Sequence, residues 1–159
     1  MDELLKILQL NALESRENIA RMLNLPAAEV GQRIADYEKK GVIRGYQAIL
    51  NEDRLDLEKV TAVIEVKVTP QREGGFDVIA ERISRFPEVR SLYLMSGTYD
   101  LLLFVEGRTL REVAGFVSER LSPLAGMLST STHFMLKTYK RFGVLMQQET
   151  SDERLTVSP

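Results

Sequence analysis

Ile19-Ala20-Arg21-Met22-Leu23-Asn24-Leu25-Pro26-Ala27-Ala28-Glu29-Val30 is the stretch on which the fold turns. Ile19, Ala20 and Leu23 recur at three- and four-residue steps, the spacing of one helix face, until Asn24-Leu25-Pro26 interrupts the pattern. Ser15, just upstream, has a hydroxyl able to cap the start of that helix. Pro26 suits the first turn of the next helix, where its missing N–H breaks no bond. Val30, Ile34 and Tyr37 line the inner face of this following helix. Lys39 and Lys40 sit well at its negative end, and Gly41 can take the left-handed stop. Further upstream, Leu4, Leu5, Ile7 and Leu8 form the apolar stripe of a first helix ending near Asn11.

Gly41-Val42-Ile43-Arg44-Gly45-Tyr46 then reads as a short extended wing. Three short helices and a wing are the smallest unit that can push a helix into a DNA major groove. Residues 1–46 are therefore expected to be a helix-turn-helix (winged) domain, followed by a linker strand and loop over 47–60. The outer face of the third helix carries Ala28, Glu29, Gln32, Arg33 and Asp36. Gln and Arg suit base edges, and Lys40 and Arg44 can hold phosphates. The DNA-contacting candidates are Ala28, Glu29, Gln32, Arg33, Lys40 and Arg44. The competing interpretation is a solvated helix face with no partner.

From Thr61 the texture changes. Thr61 to Val68 is rich in β-branched residues, partly alternates and stops before Pro70, as a strand does. Phe76, Ile79, Ala80 and Ile83 mark an amphipathic helix; Val89 to Met95 and Leu101 to Val105 are two further strands. Thr109 and Glu112 make a capping-box pattern, with Leu110, Val113, Val117 and Leu121 continuing one helix behind it. Leu128 to Leu136 alternates again as a fourth strand. Strand, helix, strand, strand, helix, strand is the ferredoxin-like order, so the chain is α+β, with this second module over 61–143 and a polar tail over 144–159. Such a sheet has one face under helices and one open. Val63, Leu92 or Tyr93, and Leu102 cannot all hide under the same helices, which predicts a sheet-to-sheet dimer.

The 159 residues suit two small domains, and 44% hydrophobic with 28% charged is globular composition. No run is long and apolar enough to span a bilayer, and Met1-Asp2-Glu3 lacks a secretory start, so a cytoplasmic protein with no membrane partner is expected. Without cysteine there is no disulfide, thiolate nucleophile or cysteine-held metal. A net charge of −2 argues against indiscriminate nucleic-acid binding, although several linked subunits on one duplex can compensate. His133, the only histidine, is expected at the surface or an interface, and no metal site is expected. Glu65, Asp77 and Glu81 have no spacing that singles out an acid–base pair.

The chain resembles the Lrp/AsnC, or feast/famine, transcription regulators. Ile19 to Leu25, Val30, Arg33-Ile34 and Gly41 to Tyr46 look like that family's DNA-binding segment; Ser96-Gly97-Thr98-Tyr99-Asp100 looks like its Gly-x-x-Asp hairpin, and Ser129 to His133 like its threonine-bearing last strand. The resemblance covers nearly all of Leu4 to Gly143. It implies a helix-turn-helix domain joined to a ligand-sensing RAM domain, double-stranded DNA as partner, no cofactor and no enzyme activity. It also implies homodimers assembling into octamers or larger rings, with a small effector, usually an amino acid, bound where dimers meet. The effector residues it implies are Ser96, Gly97, Thr98, Tyr99, Asp100, Thr130 and Thr132.

Each has an ordinary alternative. Asp100 can receive an amino acid or merely tie its carboxylate back to backbone N–H groups at a turn. Thr130 and Thr132, on one strand face with Leu128 and Phe134, can meet a ligand or satisfy each other. Where the family usually starts its recognition helix with Ser-Pro-Ser-Thr or similar, this chain has Pro26-Ala27-Ala28-Glu29, which removes the capping hydroxyls and sets Glu29 against phosphate. Weak individual DNA contacts, multiplied by the oligomer, are the expected result. Two other functions compete: an effector sensor or assembly protein with little DNA binding, and a sirohaem decarboxylase-like enzyme. The enzyme reading needs basic and histidine side chains around a many-carboxylate tetrapyrrole, and the second module has one histidine.

Overall fold

Leu4, Leu8, Ile19, Ala20 and Val30 vanish from the surface together, and around them the first fifty residues fold. The computed structural model describes residues 1–70 and 75–147. The chain divides into two units, Met1–Leu50 and Asn51–Pro159. The break falls inside the expected 47–60 linker, and Asn51 onward belongs with the second unit.

In the first unit α1 spans Glu3–Leu10, α2 Arg16–Leu23 and α3 Ala27–Lys39. Asp2 caps α1 by accepting from the Leu4 N–H at 3.0 Å, and Ser15 caps α2 by accepting from the Asn18 N–H at 3.1 Å. Asn24, at φ 53°, makes the left-handed turn between α2 and α3. Pro26 stands at the N-cap of α3 with no side-chain cap. Ile7, Leu23, Leu25, Ile34, Tyr37 and Ile43 pack around the five buried residues. Helices of this length are marginal alone, and burial worth about 1.5–3 kcal/mol per large apolar side chain holds them together. The expected wing is not built as a sheet: after Gly41 (φ 70°), residues 42–50 include no strand.

The second unit has the expected order: β1 (Val60–Val68), α4 (Asp77–Ser84), β2 (Val89–Leu94), β3 (Leu101–Gly107), α5 (Leu110–Gly115) and β4 (Met127–Phe134). The antiparallel sheet runs β2-β3-β1-β4. Ala62, Ile64, Val66 and Val68 of β1 and Leu101, Leu103 and Val105 of β3 point to the helix side, where Ile79, Ile83, Val113, Phe116 and Leu121 bury them. This is the α+β ferredoxin-like arrangement the alternation implies.

Three details differ from expectation, and the choice left open between Leu92 and Tyr93 is decided. The helix behind Thr109 is α-helical only to Gly115; Phe116–Leu121 continues as a π-turn, and the Ser122 N–H reaches the Val117 carbonyl at 2.8 Å. Thr109 caps as expected, accepting from the Glu112 N–H at 3.1 Å, but Glu112 reaches back to the Arg108 N–H at 2.8 Å, one residue beyond the usual box. Leu92 packs with the helix-side core, so Tyr93 is the β2 residue on the open face. The polar tail does not begin at residue 144. Lys140–Arg141 (β5) pairs with Val144–Leu145 (β6), and Met146 is buried, its carbonyl accepting from Asn51 Nδ2 at 2.6 Å. Residues 148–159, the rest of that tail, lie outside the described residues.

Candidate DNA-binding and effector-binding surfaces

Successive turns of α3 present one face to solvent. Ala28, Gln32, Ala35 and Lys39 are exposed at steps of four, three and four, which is one stripe. Ala28 and Gln32 were anticipated on it; Ala35 and Lys39 complete it, and the same spacing in the sequence would have found them. Two alanines leave room for close approach to a groove, and a methyl can meet thymine. Gln32 Nε2 donates to Asp36 Oδ1 at 3.1 Å.

Glu29 and Arg33 lie off that stripe, half-buried on the flank shared with Tyr37. Arg33 donates to Glu29 Oε1 from Nε at 3.1 Å and from Nη2 at 2.6 Å. The Tyr37 hydroxyl donates to the Asp2 carboxylate. That bond first, then the Leu4 N–H and the nearby Arg33 charge, hold Asp2 below the usual carboxylate range. Lys40 is the exposed C-cap of α3. Arg44 is exposed, its Nη1 3.4 Å from where a Cβ on Gly41 would stand. Of the six anticipated DNA contacts, Ala28, Lys40 and Arg44 are freely presented, Gln32 is exposed but bonded to Asp36, and Glu29 and Arg33 are engaged with each other.

The turn Ser96–Asp100 joins β2 to β3. Ser96, Gly97 and Thr98 are exposed and Tyr99 and Asp100 half-buried. Gly97 has φ 153°, and a Cβ there would meet nothing within 4 Å, so the backbone is open to approach. Asp100 is woven into β1: its N–H donates to the Val66 carbonyl at 2.9 Å, and Oδ2 accepts from the Val68 N–H at 2.9 Å. One carboxylate oxygen thus does the structural task anticipated for a turn aspartate. Thr130 stands opposite Val66 from the other side of β1, and Thr132 opposite Ile64. Asp100 and Thr130 consequently share one end of the sheet with β1 between them, about 10 Å apart at two strand spacings. The two threonines face the helix side with Phe134. Leu128 is not with them: the register shifts between Lys67 and Val68, Met127 takes the place opposite Val68, and Leu128 is 65% exposed.

The open face carries Val63 opposite Phe104, and Leu102 opposite Tyr93. Tyr93 meets Phe104 edge to face, ring centroids 6.2 Å apart, yet remains 51% exposed. His133 lies on this face beside Val63, its Nε2 3.3 Å from Ser131 Oγ and 3.7 Å from Glu65 Oε1. Among the described residues no cluster of three or more His, Asp or Glu residues could hold a metal, and no helix is long and apolar enough to cross a membrane.

The sequence profile of the Lrp/AsnC ligand binding domain matches residues 61–145, the whole sheet unit through β6. The chain belongs to the Lrp/AsnC family. An HTH-type transcriptional regulator of Bacillus subtilis, YugG, is 48% identical over 158 residues, which is 99% of this chain and 95% of that protein. A proline dehydrogenase transcriptional activator of Rhodobacter capsulatus is 32% identical over 75% of this chain and 77% of its own length. The solved AsnC family regulator of Agrobacterium tumefaciens superposes with a TM-score of 0.67 at 28% identity, covering 89% of this chain and 94% of that one. The regulator NMB0573 of Neisseria meningitidis, solved with L-methionine, has the same fold at 23% identity, with a TM-score of 0.68 over 89% and 93% of the two chains. This Lrp/AsnC chain is accordingly a helix-turn-helix transcription regulator with an effector-binding domain, and its relatives are regulators rather than enzymes.

Proposed function

We propose that this Lrp/AsnC protein reads double-stranded DNA as a cytoplasmic homo-oligomer and that a small effector, an amino acid, adjusts its assembly or DNA affinity. Dimers form through the open sheet face, and the effector is held where dimers meet, between the Ser96–Asp100 turn and Thr130 and Thr132. The observation carrying this reading is the apolar centre of that face, where Tyr93 is exposed and Val63, Leu102 and Phe104 are half-buried, a patch that solvent does not favour. Support for the effector site comes from the exposed backbone at Gly97 and from the strand separating Asp100 from Thr130, which leaves the site incomplete in one chain. The L-methionine complex of the Neisseria relative makes free amino acids the ligands to try first.

A thermal-shift screen of the full chain against the amino acids tests the effector part, because a ligand of the native state raises the melting point. A shift with one or a few amino acids, lost in Asp100→Asn with the fold retained, supports the site. No shift with any of them rejects an amino-acid effector.

The pairing of Arg33 with Glu29 gives a second reading some footing: a sensor and assembly protein with little DNA binding. Retention of promoter fragments by the full chain, lost in a shortened chain beginning at Val60, decides for DNA reading. Equal, negligible retention by both decides for the sensor.

A further inference from the structure

At 3.6 residues per turn the α3 stripe of Ala28, Gln32, Ala35 and Lys39 spans an arc of roughly 60°; Gly31 lies roughly 70° from its centre and Arg33 roughly 130°. Gly31 is thus the nearer shoulder of the exposed stripe. Having no side chain, it leaves a flat piece of helix surface, and the Arg16 guanidinium from the first residue of α2 lies across it. A Cβ placed on Gly31 would stand 3.4 Å from Arg16 Nη1 and 3.7 Å from its Cδ and Cζ.

Among the described residues Arg16 makes no hydrogen bond and no ion pair. Of the other three arginines in residues 1–50, Arg21 donates to Asn18 and Arg33 to Glu29; Arg44, also unbonded among the described residues, lies beyond the end of α3. Residues 1–50 hold seven basic and seven acidic side chains, so this unit has no general positive excess to draw DNA. An arginine with all its donors unused, seated at the edge of the exposed stripe, is therefore a specific feature.

We propose that Arg16 is a DNA-contacting residue, donating to a backbone phosphate beside the groove that α3 enters, with Gly31 as its seat. The assignment rests on the DNA-reading function proposed above. A phosphate is the favoured acceptor for two reasons. The guanidinium fork fits phosphate oxygens in pairs. It also issues from the helix preceding the reading helix, and in this arrangement that helix crosses the DNA backbone. Nothing in the spacing of Arg16 along the chain reveals that it lies on Gly31.

The experiment measures equilibrium binding of the full chain to two duplexes across a salt series: one selected by the wild-type chain from a random pool, and one scrambled. Arg16→Gln is expected to weaken both duplexes by the same factor. It should also reduce the slope of log affinity against log salt by about 0.9 per subunit engaged. Arg16→Lys keeps a point charge and is expected to restore most of that slope. In the wild-type chain, the Arg16 Nε–H resonance, assigned by its loss in Arg16→Lys, is expected to shift on adding either duplex. This readout does not depend on how well the Gln variant folds. An unmoved resonance, or an unchanged slope in a folded Arg16→Gln chain, overturns the proposal. A loss confined to the selected duplex also overturns it, since that is base reading. Failure of the wild-type chain to bind any duplex removes the DNA-reading function and this assignment together, whereas binding with an indifferent Arg16 removes only the assignment.

Discussion

Arg33 points both of its nearer N–H groups at a single oxygen of Glu29, one turn earlier on α3, with Nη2 at 2.6 Å and Nε at 3.1 Å. Both side chains are 42% exposed, so the pair adds little to folding, about 0.3–0.5 kcal/mol for an i,i+4 contact in solvent. Its consequence is electrostatic: it cancels the one arginine that α3 contributes.

Glu29→Gln should therefore strengthen DNA binding while leaving the melting temperature almost unmoved. Releasing Arg33 for a phosphate should steepen the salt dependence of log affinity by about 0.9 per engaged subunit. Fluorescence anisotropy across a salt series reads both quantities, and an unchanged slope would show that Arg33 does not reach DNA even when released.

Asp100 links the β2–β3 turn to β1 through the Val68 N–H and the Val66 carbonyl. Asp100→Ala removes the acceptor for a part-buried N–H and should destabilise the chain by about 1–3 kcal/mol. Asp100→Asn keeps a side-chain oxygen and should cost less. Urea unfolding of the two variants checks the ranking; equal midpoints with the wild type would mean the carboxylate is structurally idle.

On the open face, Phe104→Glu places a charge beside Val63, Leu102 and Tyr93 without entering the helix-side core. A dimer packed through that face should fall toward monomer at micromolar concentration in sedimentation velocity, with far-ultraviolet circular dichroism preserved. Persistence of the dimer would locate the interface elsewhere.

Glu52 and Lys59 make the second unit's stability depend on pH in opposite directions. Glu52 accepts from Arg141 at 2.8 Å and from Lys59 at 3.0 Å, and Lys59 also lies 2.7 Å from Glu106. The Arg141 bond and, after it, the Lys59 bond hold Glu52 below its ordinary value of 4.5 against the pull of burial. Its contribution is complete above 4.5 and is lost as pH falls through the lower, folded value. For Lys59, burial pulls downward, but the bonds to Glu106 and Glu52 outweigh it and raise the group above 10.5. That contribution is complete below 10.5 and is lost as pH rises through the folded value. Denaturant midpoints should thus decline at both ends, and Glu52→Gln should flatten the acid limb.

Much of this molecule is decided within a few residues of each position. The caps of Asp2, Ser15 and Thr109 bond to N–H groups two or three residues away, and the apolar periods of α1 to α4 and of β1 and β3 repeat within a turn or a pleat. Such features are visible in a string of letters, and with them the two units and the family. Tertiary pairing decided the rest. Whether Leu92 or Tyr93 faces the helices depends on register with β3, and the irregularity near Leu128 moves the strand's phase by one residue, which no alternation pattern records. Arg33's turn toward Glu29 and Arg16's position over Gly31 depend on rotamers and helix packing rather than on spacing. Local backbone preference selects the elements; a side chain's partner is selected by whatever the fold brings within about 4 Å of it.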